Sequence, residues 1–291
     1  MARWSIIGVP IDCSARSRGE QLAPTALREA GIVEALSADD RGDLPVTVDD
    51  AHRDEESGVI AYSQIVEANV RARDAVRSAV EGDSRPFVLG GDCSLLPGAL
   101  AGTSPGGGVL GLCPVDGHVD AHDGDTSPTG EAADMPLAVA LGRGAREWVG
   151  VGERIPILAP EHVVVLGHRT DPDDLDEIAL VPSAVARFTA AEILESEPGR
   201  IGEQAAARLA GQPGGFWLHF DTDVLDESAL PASTYRAKGG LRWAHLDTLL
   251  QPLLASHELA GVSIADFRPD LDLHGHYARR IVAFFAGTLG G

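Results

Sequence analysis

The stretch VLGLCPVDGHVDAHDGD, residues 109–125, is an apolar run that ends abruptly in acidic residues and histidines. Its first half has the continuous apolar character of a strand buried on both faces, which is typical of parallel sheets. Its second half holds two overlapping frames: Asp116, His118 and Asp120 form one, and Asp-Ala-His-Asp, starting at Asp120, forms the other. Polar residues directly after a buried strand predict a site at the carboxyl edge of a parallel sheet.

The same rhythm of apolar runs and helix-compatible segments extends along the chain. The apolar runs are WSIIGVPI, RPFVLGGD, GGVLGLCPV, HVVVLGH, GGFWLHFD and LAGVSIADF. Strands alternating with helices predict an α/β fold, a three-layer α-β-α sandwich around a central parallel sheet. With 291 residues and 44% hydrophobic content, we expect one domain spanning residues 1–291.

The charge balance narrows the classes of partner. The formal net charge of −21 argues against nucleic acid, because phosphate neutralisation needs clustered Lys and Arg, and it favours a small cationic substrate. Neither a signal peptide nor an uninterrupted apolar run of about 18 residues is present, so we expect a cytoplasmic protein without a membrane span. Three cysteines without CxxC spacing predict reduced thiols.

Acidic residues recur at the ends of predicted strands. Alternate residues of a strand share a face, so Asp116, His118 and Asp120 should project together, as should Asp221 and Asp223. Either motif alone is also compatible with a solvated strand end or turn. Both at one sheet edge would place four carboxylates and an imidazole around a small volume, which a pair of divalent metal ions would stabilise. Oxygen-rich ligands with an imidazole suit Mn²⁺.

Five segments, in order, resemble motifs of the ureohydrolase superfamily (arginase, agmatinase and relatives). They are LAPTALREAG at 22–31 with G-P-x-x-L-R, GGDCS at 90–94 with G-G-D-H-S, DGHVD at 116–120 with D-A-H-x-D, FDTDVLD at 220–226 with S-F-D-x-D-x-x-D, and SIADFRP at 263–269 with D-I-x-E-x-N-P. The resemblance implies an arginase-like fold and two Mn²⁺ ions. It also implies that a metal-bridging hydroxide attacks a guanidino carbon.

The spacing of a further motif selects between the two frames. In the superfamily, the second Asp of D-A-H-x-D is followed nine residues on by the Ser of S-G-N-x-H-G-x-P, and from Asp120 that count reaches Thr129 of TGEAADMP. The frame that starts at Asp120 instead places Gly124 where the last carboxylate is needed. His122 therefore falls outside the expected ligand set.

Carried over position by position, the resemblance implies two overlapping sets of ligands. The first metal would be held by Cys93, Asp116, Asp120 and Asp221, and the second by Asp116, His118, Asp221 and Asp223. Asp116 and Asp221 would bridge the two ions. Asp120 would also carry a proton from the attacking hydroxide to the leaving amine.

Three positions depart from the superfamily pattern. Cys93 replaces the histidine of G-G-D-H-S, and a soft thiolate either changes the metal preference of the first site or binds Mn²⁺ weakly; a bystander thiol is the alternative. Ala133 replaces the histidine of S-G-N-x-H-G-x-P, so a proton donor or acceptor is missing unless His122 substitutes for it. Asp266 replaces the glutamate expected to contact the guanidinium, which opens space for about one more heavy atom.

Cys93 and the missing histidine resemble the corresponding positions of the Nω-hydroxy-L-arginine hydrolases of D-cycloserine biosynthesis. The resemblance implies hydrolysis of Nω-hydroxy-L-arginine to hydroxyurea and L-ornithine, an antibiotic-precursor reaction. The positions matching the amino-acid pocket, each of which is also compatible with a plain solvent-exposed role, are His122, Thr129, Glu131, Asp171 and Asp174. Two alternatives stay open: an ordinary ureohydrolase acting on L-arginine, agmatine or a guanidino acid, and a non-catalytic binding protein. About 25 residues follow Asp266, so we expect a monomer and not an arginase-type trimer.

Overall fold

The computed structural model describes residues 3–103 and 110–290. Its eight strands are β1 (Arg3–Val9), β2 (Asp39–Asp43), β3 (Ser84–Gly90), β4 (Gly111–Val115), β5 (Val164–Leu166), β6 (Ala186–Phe188), β7 (Phe216–Asp221) and β8 (Leu259–Ala265). They form one sheet in the order β2-β1-β3-β8-β7-β4-β5-β6, and every neighbouring pair is parallel. Parallel pairing requires a crossover between strands, and the connecting helices supply it.

The helices cover both faces of the sheet. They are α1 (Ala23–Glu29), α2 (Ile32–Ala35), α3 (Tyr62–Glu81), α4 (Leu96–Thr103), α5 (Pro136–Ala140), α6 (Arg146–Val149), α7 (Leu175–Ile178), α8 (Ala190–Glu195), α9 (Pro198–Leu209), α10 (Trp243–Leu249), α11 (Gln251–Leu254) and α12 (His276–Leu289). Ile6 of β1 packs in the apolar cluster that includes α9, α10 and α12, whereas its neighbour Ile7 packs in the cluster with α3 and α4. The predicted three-layer α/β fold with a central parallel sheet is therefore confirmed.

The four central strands determine where the site lies. Strands β3, β8, β7 and β4 are neighbours in the sheet, and their carboxyl ends lead into Cys93, Asp266, Asp221 and Asp116. Because all four strands run in the same direction, these residues meet at one edge. No helix within the described residues is both long and apolar enough to span a membrane.

Candidate metal centre and substrate cleft

The turn after β3 fixes Cys93 at the sheet edge. The side chain of Asp92 accepts hydrogen bonds from the backbone N–H of Cys13 at 2.6 Å and of Ser94 at 2.9 Å, so it ties the turn to the loop after β1. A Cβ on Gly91 would overlap the carbonyl oxygen of Ile11, which explains the glycine at that position. The result is a fully buried Cys93 thiol beneath the cleft.

Backbone N–H groups orient the carboxylates that follow β4 and β7. His118 N–H donates to Asp116 Oδ1 at 2.7 Å, and Asp223 N–H donates to Asp221 Oδ1 at 2.7 Å. Gly117 N–H donates to Asp223 Oδ1 at 3.0 Å, which joins the two loops directly. The acidic groups are therefore held in place by the turns that carry them.

Ligand atoms from the carboxyl ends of the four central strands converge in overlapping groups of three. Within each group the Sγ, ring nitrogen or carboxylate oxygen atoms lie within 4.8 Å of one another. Three of these groups are Asp116 with His118 and Asp120, Asp116 with Asp221 and Asp223, and Cys93 with Asp221 and Asp266. The structure thus brings together all six residues expected to bind metal.

The electrostatics of this cluster fit a pair of divalent cations. Burial, reinforced by the charge of Asp223, raises the pKa of Asp116 to about 7. Burial followed by the charge of Asp116 raises the pKa of Asp120, and burial followed by the charge of Asp223 raises the pKa of Asp221. Burial lowers the pKa of His118, but the charges of Asp223 and Asp116 outweigh it and raise the value to about 10.

One buried carboxylate at the cluster is paired with its imidazole. Asp223 Oδ2 lies 2.9 Å from His118 Nδ1, and the side chain of Asp223 is buried. A buried carboxylate is costly unless a cation compensates its charge. The donor set, which combines carboxylates, one imidazole and one sulfur, can hold two such cations.

Asp120 and Asp266 share an uncommon backbone conformation. Their φ angles are 49° and 61°, in the left-handed region that residues other than glycine seldom adopt, although aspartate tolerates it better than most. Both side chains line the cleft. Such conformations persist where the surrounding structure enforces them, and they cluster at functional sites.

The cleft above the cluster has a volume of about 230 Å³. Its lining includes His118, Asp120, His122, Thr129, Glu131, Ala133, Asp134, Asp174, Glu177, Tyr235 and Asp266. Four of the five residues expected to contact the amino-acid end of a substrate are in this set. The fifth, Asp171, is exposed and lies on a separate surface pocket with Arg169 and Lys238.

The carboxylate of Glu131 lines the cleft and forms an ion pair with Arg18. Arg18 Nη2 donates to Glu131 Oε2 at 2.8 Å, and Tyr235 Oη donates to the same oxygen at 2.6 Å. The Arg18 guanidinium also lies 5.8 Å from the centre of the Tyr235 ring. Glu131 is therefore part of a three-residue wall at the cleft, and its oxygen is shared with Arg18 and Tyr235.

The carboxyl group of Asp134 lies next to Ala133 in the cleft lining. The side chain of Asp134 lines the cleft and accepts hydrogen bonds from Ser127 Oγ at 2.7 Å and Thr129 Oγ1 at 3.1 Å. Burial raises its pKa to about 6. His122 lies nearby, with its Nδ1 3.3 Å from Thr126 Oγ1, and it is half-buried in the cleft wall.

Sequence reasoning missed several of these residues. Tyr235 comes from an irregular loop, and Glu177, which accepts a hydrogen bond from Ala121 N–H at 2.7 Å, comes from the short helix α7. Neither lies in a recognisable motif. His219, a buried residue whose Nε2 lies 3.1 Å from Cys93 Sγ, did carry a signal, since it stands directly before FDTDVLD, where the superfamily motif has serine.

The glycine in the ligand-bearing frame has a steric reason. A Cβ on Gly117 would overlap Arg169 Nη1 and lie 2.7 Å from Asp223 Oδ1. Arg169 is itself fixed, because its Nη2 donates to the carbonyl oxygens of Asp223 at 2.6 Å and Leu225 at 3.2 Å. The frame with Asp116, His118 and Asp120 therefore packs against a buried guanidinium that supports the Asp223 loop.

Comparison with known proteins agrees with this geometry. The model of the arginase family matches residues 2–289. An arginase of Brevibacillus brevis is 32% identical over 98% of this chain and 97% of its own length, and an arginase of Bacillus caldovelox is 31% identical over the same shares. The native structure of the Bacillus caldovelox arginase superposes with a TM-score of 0.91 at 30% identity, covering 100% of this chain and 99% of that one. The arginase-like fold is thus confirmed, and the chain belongs to the arginase family.

Proposed function

We propose that this protein is a manganese-dependent hydrolase that cleaves a guanidino C–N bond of a small amino acid. The observation that carries the proposal is the set of overlapping ligand triples at the floor of the cleft. Cys93, Asp116, Asp120 and Asp221 would hold one ion, and Asp116, His118, Asp221 and Asp223 would hold the other. A bound pair of divalent ions supplies a water of lowered pKa as the nucleophile at neutral pH.

The protein side chains bind the substrate and move protons. Asp120 accepts the proton of the attacking water and delivers it to the leaving amine, which departs as the side-chain amine of ornithine. Asp266 accepts hydrogen bonds from the guanidino group at the cleft floor. His122, at the cleft wall, is the candidate proton donor in place of the histidine that Ala133 replaces.

For the substrate, we favour Nω-hydroxy-L-arginine, which with one water gives hydroxyurea and L-ornithine. The shorter Asp266 and the small Ala133 both leave room beside the guanidino group, and an N-hydroxyguanidine is less basic than a guanidine. The sulfur ligand Cys93 strengthens the resemblance to the hydroxyurea-forming hydrolases of D-cycloserine biosynthesis.

L-Arginine is the second candidate. The relatives at about 30% identity are named arginases, and that similarity favours arginine, urea and ornithine as substrate and products. The site residues favour the hydroxylated substrate because they differ from the superfamily pattern where the guanidino group would bind. Both candidate substrates would be cleaved at the same metal centre. They differ only in the N-hydroxy group, which would lie beside Asp266.

At the amino-acid end, His122, Thr129, Glu131 and Asp174 are the proposed contacts. All four line the cleft, and Thr129 is oriented by its hydrogen bond to Asp134. Asp171 would act indirectly, because its backbone N–H donates to Asp174 Oδ2 at 3.2 Å and so positions that carboxylate. The negative charge of Asp174 suits the α-ammonium group of an amino acid.

Product identification separates the candidates. Purified protein loaded with Mn²⁺ is offered L-arginine and Nω-hydroxy-L-arginine in parallel, and urea and hydroxyurea are distinguished by mass spectrometry. We expect kcat/KM for the hydroxylated substrate to exceed that for arginine by at least about tenfold, or about 1.4 kcal/mol. The variant Asp223→Asn serves as the background control, since it removes a ligand of the second ion.

The other outcomes have distinct meanings. Faster release of urea from L-arginine makes the protein an ordinary arginase. Full metal content without turnover of either substrate, agmatine or a guanidino acid contradicts the proposed hydrolysis. A protein that stays metal-free after Mn²⁺ loading supports the non-catalytic binding alternative.

A further inference from the structure

His219 contacts the sulfur of the expected metal ligand Cys93. It lies on β7 two residues before Asp221, is fully buried, and places its Nε2 3.1 Å from Cys93 Sγ. Its other ring nitrogen, Nδ1, lies 2.7 Å from Ser263 Oγ on the neighbouring strand β8. The imidazole therefore bridges the sulfur and a buried hydroxyl group.

The hydrogen-bond inventory at Ser263 determines where the ring proton lies. Trp217 Nε1, which can only donate, donates to Ser263 Oγ at 2.9 Å. Within the described residues, the hydrogen bonds of Ser263 Oγ are those to Trp217 and His219. The buried Ser263 hydroxyl hydrogen therefore has His219 Nδ1 as its acceptor, because any other arrangement leaves it without one.

A ring that accepts at Nδ1 carries its proton on Nε2. That nitrogen faces Cys93 Sγ, so it donates a hydrogen bond to the sulfur and has no lone pair for a metal ion. The hydrogen bonds from Trp217 to Ser263, from Ser263 to His219 and from His219 to Cys93 thus all run toward the sulfur, which itself lies 2.8 Å from Asp221 Oδ2. Each of these side chains is buried.

The same three positions also depart together from the motifs of the superfamily. Cys93 stands in place of histidine, His219 in place of serine, and Ser263 in place of the first aspartate of D-I-x-E-x-N-P. In the structure these three replaced side chains touch one another in sequence. Compared with the superfamily motifs, this chain has a sulfur in place of the imidazole at the expected ligand position 93. Its imidazole stands at position 219, next to that sulfur.

We propose that His219 is a positioning residue that orients Cys93 Sγ and, by donating Nε2–H to it, reduces the charge the sulfur gives to a bound cation. The inference rests on the proposed function, in which Cys93 is a metal ligand. A hydrogen bond to a ligating sulfur makes it a weaker electron donor, in the way that outer-shell partners tune other metal sites. This would adapt a soft ligand to a site whose other donors are hard.

Cobalt substitution tests the inference in the intact protein. A thiolate bound to Co²⁺ gives a charge-transfer band in the near ultraviolet, and its energy falls when the sulfur loses a hydrogen bond. We expect His219→Leu to shift the band to longer wavelength with two Co²⁺ still bound. We also expect Co²⁺ affinity to fall on the order of 10–100-fold, because the sulfur loses the contact that orients it and this outweighs its stronger electron donation. His219→Gln, which keeps an N–H donor near the Nε2 position, should restore most of both properties.

The Cys93→Ser background provides the matched control. If His219 acts through the sulfur, adding His219→Leu to Cys93→Ser should change Co²⁺ affinity several-fold less than in the parent protein, as a double-mutant cycle measures. Should His219→Leu not fold, His219→Asn gives the same comparison, because its shorter amide does not reach the sulfur.

Three results would overturn the inference. One is an unshifted band in a folded His219→Leu protein. Another is loss of one cobalt ion from His219→Leu while Cys93→Ser keeps two, since that would make His219 the ligand. The third is a wild-type protein with two cobalt ions and no sulfur band. Failure to release urea or hydroxyurea with the band intact would instead contradict only the proposed reaction.

Discussion

Asp266 is the residue at which substrate choice is most open to test. Its side chain is buried at the cleft floor, with Oδ2 3.8 Å from Cys93 Sγ. Asp266→Glu restores the length of the superfamily glutamate and fills the space proposed for the N-hydroxy oxygen. We expect the ratio of kcat/KM for Nω-hydroxy-L-arginine over L-arginine to fall about tenfold or more, since one methylene is worth about 1–3 kcal/mol in such pockets.

A matched control for this change is Asp270→Glu. Asp270 lies outside the cleft lining, paired with Arg268 at 2.8 Å, so the same added methylene should leave the ratio unchanged. An unaltered ratio in Asp266→Glu would mean that the shorter acid does not select the substrate.

Substitution of Cys93 tests whether its sulfur is a metal ligand. Cys93→His restores the superfamily ligand but adds volume beside His219, which already lies 3.1 Å from the sulfur in a fully buried site. We expect the single variant to lose about 1–3 kcal/mol of stability through overpacking. Cys93→His with His219→Ser should recover stability and prefer Mn²⁺ over Co²⁺ more strongly than the wild type, as thermal melts and metal analysis by mass spectrometry would measure. Unchanged metal content and preference in both variants would mark Cys93 as a bystander.

The meeting of the expected ligands at one sheet edge was predictable from sequence because they follow buried parallel strands. The expectation that Asp116, His118 and Asp120 share a strand face was wrong, because β4 ends at Val115 and they lie in the loop that follows it. The state of Glu131 was not predictable, because its partners Arg18 and Tyr235 lie about a hundred residues away in either direction. Contacts between distant loops leave no periodic pattern in a sequence.

At the level of elements, the loop after β4 packs against Arg169 in the loop after β5, beside the residues proposed to hold the second ion. Gly117→Ala would push a methyl group into Arg169 Nη1 and toward Asp223 Oδ1. Because Arg169 is buried and doubly hydrogen-bonded, the cost cannot be relieved by a small side-chain movement. We expect a loss of about 1–3 kcal/mol of unfolding free energy and of one of two bound ions, measured by denaturant titration and metal analysis.

Gly287→Ala is the corresponding control within α12. A Cβ there meets nothing within 4 Å, so a gain of about 0.5–1 kcal/mol and an unchanged metal content are expected. A Gly117→Ala protein that keeps two ions and normal stability would contradict this expectation. It would show that the loop and Arg169 can move apart enough to accept the added methyl group.

Whether a strand was predictable from sequence depends on its position in the sheet. The central strands β3, β4, β7 and β8 are buried on both faces and appear as continuous apolar runs. The edge strand β2 has the sequence DDRGD and is mostly exposed, so no apolar run marks it. Charged residues are a common feature of edge strands because they discourage pairing with another chain.

Over the whole molecule, an excess of negative charge extends from the surface into the buried site. The chain has 44 acidic and 23 basic residues, and several of the acidic ones are buried around the cleft. Surface charge of this sign attracts small cations, including the expected metal ions and guanidinium compounds. Cations bound at the proposed site would compensate the buried acids and so would couple metal content to stability.

This coupling predicts how metal-free protein responds to pH. The pKa of Asp116 is raised to about 7 and that of His118 to about 10, so both groups bind more protons in the folded state than in the unfolded state. The stability that they contribute is present at lower pH and is lost as pH rises through about 7 and toward about 10. We expect the Tm of chelator-treated protein to fall by several degrees between pH 7 and 9, as differential scanning fluorimetry at constant ionic strength would measure.

Bound metal should remove most of this dependence, because the cations replace protons as the partners of the buried carboxylates. Mn²⁺-loaded protein should therefore show a flatter Tm profile over the same range, and the gap between the two curves should widen as pH rises. His118→Gln should flatten the metal-free curve over this range, because the raised pKa of His118 lies above it and a glutamine amide does not titrate. Parallel curves for the loaded and chelated wild-type protein would mean that the acidic cluster is not where the metal ions bind, and the ligand assignment would fail with it.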